Sequence, residues 1–301
     1  MQGAETLRRA GTAYIVAVGV NQYANRDFSL RYAVPDSREF TRTLERQLAA
    51  LATYGRIEVL RLENREATRD NILRLLRDLA AAQPEDTVVV YFAGHGLAVG
   101  RRFYLIPHDL GYGGRREEID AAGVREITEH GVSDVDLGRA VEAIDAGRVV
   151  LVIDACNSGQ ALEAEDRRQG PLNSQGLAQL AYDKGMDVLT AAQGYQAALE
   201  STRLGHGLLT YALVEEALKS DVADTDPRDG VVTGREWLDY AVRRVPQLQR
   251  GMMEDASRAG RDIAVVDGEE SIKDVEERTL QRPRVFYRRD ADAEAFPVAK
   301  P

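Results

Sequence analysis

A single cysteine, Cys156, in a chain of 301 residues leaves no intramolecular disulfide to hold the fold. The N-terminal stretch also lacks the apolar core of a secretory signal, so a reducing, cytoplasmic setting is expected. Long hydrophobic runs are missing too. The longest, Val88 to Ala93 and Val149 to Ile153, fall far short of the ~20 residues that span a bilayer, which excludes a transmembrane helix. Positive charge is short as well: 39 Lys and Arg against 49 Asp and Glu give a net charge of −10. That balance offers no general attraction to nucleic acid or to an anionic membrane, and it favours basic partners or substrates. Nine prolines and 26 glycines are too few for a low-complexity chain. What remains, at 44% hydrophobic residues, is a globular protein of one large domain or two small ones.

Five short segments rich in β-branched residues read as strands covered on both faces: Thr12 to Val20, Arg56 to Leu62, Asp86 to Ala93, Arg148 to Ala155 and Met186 to Ala191. Between and after them, apolar residues recur with helical period. Phe40, Leu44, Leu48 and Leu51 follow Pro35; Ile72, Leu75, Leu76 and Leu79 follow Thr68; Leu137, Val141 and Ile144 follow Ser133. Leu209, Leu213 and Ala217 predict a later helix, and Trp237, Leu238, Ala241, Val242 and Val245 another, opened by the capping box Thr233-Gly-Arg-Glu236. Strand alternating with helix predicts an α/β fold, a three-layer sandwich with a mainly parallel sheet and ligands at the C-terminal strand edge. Gly111 to Gly131, Asn157 to Gly185 and Ser220 to Gly230 read as long loops of the kind that carry function. Residues 1–266 read as one domain. Residues 267–301 read as an extension, packed on it or partly disordered, with one strand-like piece at Arg284 to Tyr287.

Two strand ends carry the chemistry. One ends in Tyr91-Phe-Ala-Gly-His95-Gly96 and the other in Asp154-Ala-Cys156-Asn-Ser-Gly159. If these strands are neighbours, His95 and Cys156 face one another at the sheet edge. A thiol at its ordinary pKa is mostly protonated at neutral pH, and a nearby imidazole can take that proton. Backbone amides at Gly96 and Cys156 are the candidate oxyanion donors. The pattern points to acyl transfer through a thioester. Ser158 sits in no Gly-x-Ser-x-Gly elbow and is a poor rival nucleophile.

Together with Tyr14-Ile-Val-Ala-Val-Gly-Val-Asn-Gln-Tyr23, Leu30-Arg-Tyr-Ala-Val-Pro-Asp36 and Gly207-Leu-Leu-Thr-Tyr211, these motifs resemble the caspase-like cysteine peptidases over roughly residues 12 to 250. The likeness is greater to the metacaspase and bacterial orthocaspase branch than to animal caspases. It implies a Cys156–His95 dyad with no third catalytic side chain and, in that branch, usually a monomer. Animal caspases carry Gln two residues before the nucleophile and use arginines to hold a substrate Asp; here that position is Asp154. The resemblance assigns Asp154 and Asp36 to a pocket for a basic side chain. Two carboxylates pair with a guanidinium or ammonium and reject a substrate carboxylate, so cleavage after Arg, then Lys, of protein or peptide substrates is expected. Asp36 also has a plainer reading, as a helix N-cap beside Pro35. Gln196 is a weaker pocket candidate.

The segment after Cys156 contains Arg167 and Arg168 in a polar stretch, a site for self-cleavage if the enzyme prefers basic residues. One cysteine with His95, His108, His130 and His206 gives no zinc spacing. Asp224 to Gly230 resembles a calcium loop only superficially, because an EF-hand frame on Gly230 puts Thr225 and Pro227 where carboxylates are needed; a turn capping the next helix accounts for it better. No cofactor is required by the sequence, and the resemblance leaves calcium activation open. Two other readings stand beside the peptidase: an interaction or signalling module with vestigial activity, and an Asp-specific caspase.

Overall fold

The computed structural model describes residues 10–100, 102–157, 178–179, 181–182, 185–191, 204–220, 222–258, 280–287 and 296–300. The strands are β1 (Thr12–Gly19), β2 (Arg56–Glu63), β3 (Thr87–Val99), β4 (Arg102–Leu105), β5 (Val132–Ser133), β6 (Arg148–Asn157), β7 (Asp187–Thr190), β8 (Val232–Thr233), β9 (Arg284–Phe286) and β10 (Pro297–Ala299). The helices are α1 (Ala33–Leu51), α2 (Arg69–Asp78), α3 (Ala121–His130), α4 (Asp134–Glu142), α5 and α6 (Gly234–Arg258). Helix α5 opens as Leu208–Thr210 and continues as a π-helix, Tyr211–Leu218.

Among the described residues the main sheet runs β2-β1-β3-β6-β7-β9, with β4 beside β3 and β5 beside β4. Pairings among β2, β1, β3, β6 and β7 are parallel; those of β4 with β3 and β5, and of β9 with β7, are antiparallel. Strand alternation divides the interior in two. Val16, Val18, Val88, Val90, Phe92, Leu151 and Ile153 pack toward α2, α3 and α4. Ala13, Ile15, Ala17, Val89, Tyr91, Val150 and Val152 pack toward α1, α5 and α6. The result is the expected sandwich with helices on both faces.

Local chemistry sets the helix starts. Thr68 accepts from the Asn71 amide to cap α2, and Ser133 forms a capping box with Asp136 at α4. At α6 the expected box is present, with Glu236 accepting from the Thr233 amide at 3.0 Å. Two features differ from the sequence reading. Gly111 to Gly131 is not wholly loop, because α3 lies within it, capped by Asp120 and burying Val124 and Ile127. Among the described residues beyond 266 there are two strands rather than one: β9 extends the main sheet, and β10 pairs with β8.

Candidate active site

Strands β3 and β6 are adjacent and parallel, and their register pairs His95 directly with Cys156 and Gly96 with Asn157. Gly96 also faces Leu105 of β4, and a Cβ there would meet the Phe103 ring at 2.8 Å, so no side chain fits between the two ladders. His95 is only 3% exposed. Its backbone amide donates to the Tyr23 hydroxyl at 2.7 Å, and its ring lies 5.0 Å from that of Tyr23 and edge-on to Phe28. Nε2 lies 2.8 Å from the Phe28 carbonyl. A carbonyl only accepts, so Nε2 carries the proton and Nδ1 the lone pair.

Burial, then the nearby Arg116 guanidinium, lower the His95 pKa to about 4, against a smaller opposing effect of the Phe28 carbonyl. The ring is therefore a neutral imidazole at pH 7. Arg116 comes from the stretch between β4 and α3 and stands 5.9 Å over the Phe28 ring. That stretch is tied to the Phe28 turn by Asn25, whose side-chain amide donates to the Tyr112 and Gly114 carbonyls.

The second half of the site gathers around Gly207, between β3, β6, α1 and the segment leading into α5. Asp154, half-buried, accepts from Thr210 Oγ1 at 3.0 Å, and Tyr91 places its hydroxyl 2.6 Å from that same oxygen. Asp36 lies in the first turn of α1, whose N-cap is Tyr32, so the plainer N-cap reading does not hold. Asp36 Oδ1 sits 2.7 Å from His206 Nδ1, and Oδ2 accepts from the Gly207 amide at 3.0 Å. A Cβ on Gly207 would lie 3.1 Å from Asp36 Oδ2 and 3.3 Å from Asp154 Oδ2, so the two carboxylates converge on this glycine. Burial, then repulsion from Asp36, raise the Asp154 pKa to about 7. His206 is raised above its ordinary value, chiefly by its bond to Asp36.

Of the residues singled out by sequence, the fold brings together His95 with the backbone of Gly96 and Cys156, and Asp36 with Asp154. Gln196, Arg167, Arg168 and the side chain of Cys156 lie outside the described residues. In the loop before β8, Asp224 accepts from the Asp229 and Gly230 amides, and Glu236 from those of Thr225 and Asp226. These carboxylates serve the turn and helix start. No cluster of three metal-ligating side chains occurs among the described residues. Sequence reasoning missed Tyr23, the Phe28 carbonyl, Arg116, Thr210 and His206. Only Tyr23 and Thr210 stood within recognised motifs.

The fold is a mainly parallel α/β sheet whose register sets a histidine and a cysteine side by side on adjacent strands. A family model described as the caspase domain, peptidase family C14, matches residues 12–255, and the chain belongs to that family. Protein GSU0716 from Geobacter sulfurreducens, a crystal structure, is similar in fold, with a TM-score of 0.54 at 14% identity over 93% of this chain and 95% of that one. No curated protein matches the sequence. Among the described residues, no helix is long and apolar enough to cross a membrane.

Proposed function

We propose that the chain is a cysteine endopeptidase of the metacaspase or orthocaspase type that cleaves after Arg, and less well after Lys. The observation that carries the reading is the pairing of His95 with Cys156 in register, together with two carboxylates, Asp36 and Asp154, that converge on Gly207. The Cys156 thiol gives its proton to His95 Nδ1 and attacks the scissile carbonyl. The Phe28 carbonyl holds the ring in the tautomer that exposes Nδ1, and it accepts a stronger bond once the ring becomes cationic. Amides at Gly96 and Cys156 receive the oxyanion. His95 then protonates the leaving amine, and water, deprotonated by the same nitrogen, hydrolyses the thioester.

Asp154 and Asp36 supply the charge for a guanidinium or ammonium, with Gln196 a further candidate in that pocket. Cleavage after Arg167 or Arg168 is the self-processing step that this preference predicts. Coverage of the β7 edge by β9 supports a monomer, because that edge is not open for pairing with another chain.

The test is hydrolysis of peptide amides ending in Arg, Lys or Asp by the full chain and by Cys156→Ala, with calcium present or chelated. Turnover after Arg that is lost in the variant supports the reading, and mass spectrometry of the purified chain reports any cut at Arg167 or Arg168. Turnover only after Asp overturns the acidic pocket. No turnover in any form leaves the interaction module as the better account.

A further inference from the structure

The polar contacts around the two carboxylates are unequal. Asp154 is bonded by neutral groups, the Thr210 and Tyr91 hydroxyls and the Thr210 backbone, and has no ion-pair partner among the described residues. Asp36 is engaged on both oxygens by the segment that leads into α5, through the imidazole of His206 and the amide of Gly207. The imidazole thus holds an oxygen that a basic substrate side chain would otherwise claim. We infer that His206 is a specificity-determining residue of this pocket, an internal counter-ion that competes with the substrate's basic side chain for Asp36. The inference rests on the basic-residue reading proposed above.

The surroundings of His206 decide its charge. From α1 it faces Asp36 and Glu39; from α5 it faces Glu215, whose Oε1 is 3.8 Å from Nε2. Lys219 bonds Glu215 at 2.5 Å and Glu39 at 2.7 Å and offsets part of that negative field. Asp154 lies across Gly207 on β6, and Tyr91 on β3 is held un-ionised by burial. Three carboxylates, offset by the Lys219 ammonium and by the Arg42 guanidinium paired with Glu39, leave a net negative field that favours the imidazolium, in line with the raised pKa of His206.

While His206 is charged it cancels Asp36, and Asp154, which titrates at about 7, is partly protonated. The pocket is then close to neutral. As pH rises, Asp154 and His206 lose their protons and the pocket gains two negative charges. A bound guanidinium favours the same deprotonated state, so binding releases protons near pH 7.

The test compares the wild type with His206→Gln, which keeps a donor for Asp36 without the charge, on Arg and Lys peptide amides from pH 6 to 8. In the wild type KM falls as pH rises. In the variant KM at pH 6 is lower by about tenfold, the value expected for removing one nearby like charge, and its pH dependence is flatter. The effect falls on KM rather than kcat, because the variant removes a charge from the pocket and leaves the dyad as it was.

A second measurement does not depend on the variant folding. Calorimetry of agmatine binding to the full chain carrying Cys156→Ala, in two buffers of different ionisation enthalpy at pH 7, reads proton release, and NMR of the His206 ring reports its loss of charge on binding. Agmatine binding without any change at His206, or a His206→Gln curve that overlays the wild type, overturns this inference alone. Wild-type protein that neither cleaves Arg or Lys peptides nor binds agmatine overturns the basic-residue reading and this inference with it.

Discussion

The two halves of the site handle ionisation in opposite ways. On the β3 side, His95 lies among aromatic rings, and its one ring hydrogen bond goes to an uncharged backbone carbonyl. On the other side, Asp36, Asp154 and His206 crowd around Gly207, where burial and the neighbouring Asp36 raise the Asp154 pKa to about 7 and the bond to Asp36 raises that of His206. The difference separates chemistry from recognition. A base whose pKa is about 4 keeps the same protonation state from pH 5.5 upward, whereas a pocket that contains Asp154, with a pKa of about 7, changes charge where cells live. Activity that changes with pH around neutrality is therefore expected to report substrate binding rather than protonation of His95.

The largest break in this comparison is His95→Ala. It removes the proton carrier and is expected to lower kcat/KM on an Arg peptide by about a thousandfold, measured by steady-state hydrolysis. Asp154→Asn leaves the dyad and removes the pocket charge that has no internal counter-ion. A loss of about a hundredfold in kcat/KM on Arg peptides is expected, mostly in KM, in line with truncating one partner of a charged pair.

A smaller effect comes from Tyr23→Phe, which leaves the buried His95 amide without its acceptor; denaturant unfolding should show a loss of about 1–3 kcal/mol. The smallest sharpens the contrast. Arg116→Gln removes a cation that depresses the His95 pKa, so the acid limb of the kcat/KM profile should move to higher pH while the neutral range is unchanged. The same depressed pKa fixes a stability trend. The unfolded chain binds a proton at His95 that the folded chain refuses, so this group costs stability as pH falls from about 6.5 toward 4, and less so in the Arg116 variant.

Much of the architecture was legible because the central strands of a covered parallel sheet are near-continuous apolar runs, as in β1, β3 and β6, while β2 at the edge was marked by Ile57, Val59, Leu60 and Leu62 among charged residues. The pairing of His95 with Cys156 needed only the condition that their strands be neighbours, which the sheet order meets. Helix α3 was hidden because it buries only two large apolar residues, Val124 and Ile127, too thin a stripe to register. Strand β10 is three residues long and begins at Pro297. The tautomer-setting acceptor is a backbone carbonyl, which no side-chain pattern encodes. His206 meets Asp36 across 170 residues of chain, so nothing local marks it as part of a pocket. Arg116 acts on His95 through space, with no motif to announce it.

Strand β9 has a consequence for the order in which the molecule can be made. Residues 284–286 close one border of the peptidase sheet, and residues 297–299 supply the partner of β8 beside the long helix α6. A chain emerging from the ribosome carries His95 and Cys156 long before these pieces appear. The strands that carry His95 and Cys156 are therefore synthesised well ahead of the segments that finish the sheet, and completion of the fold waits on residues 284–299.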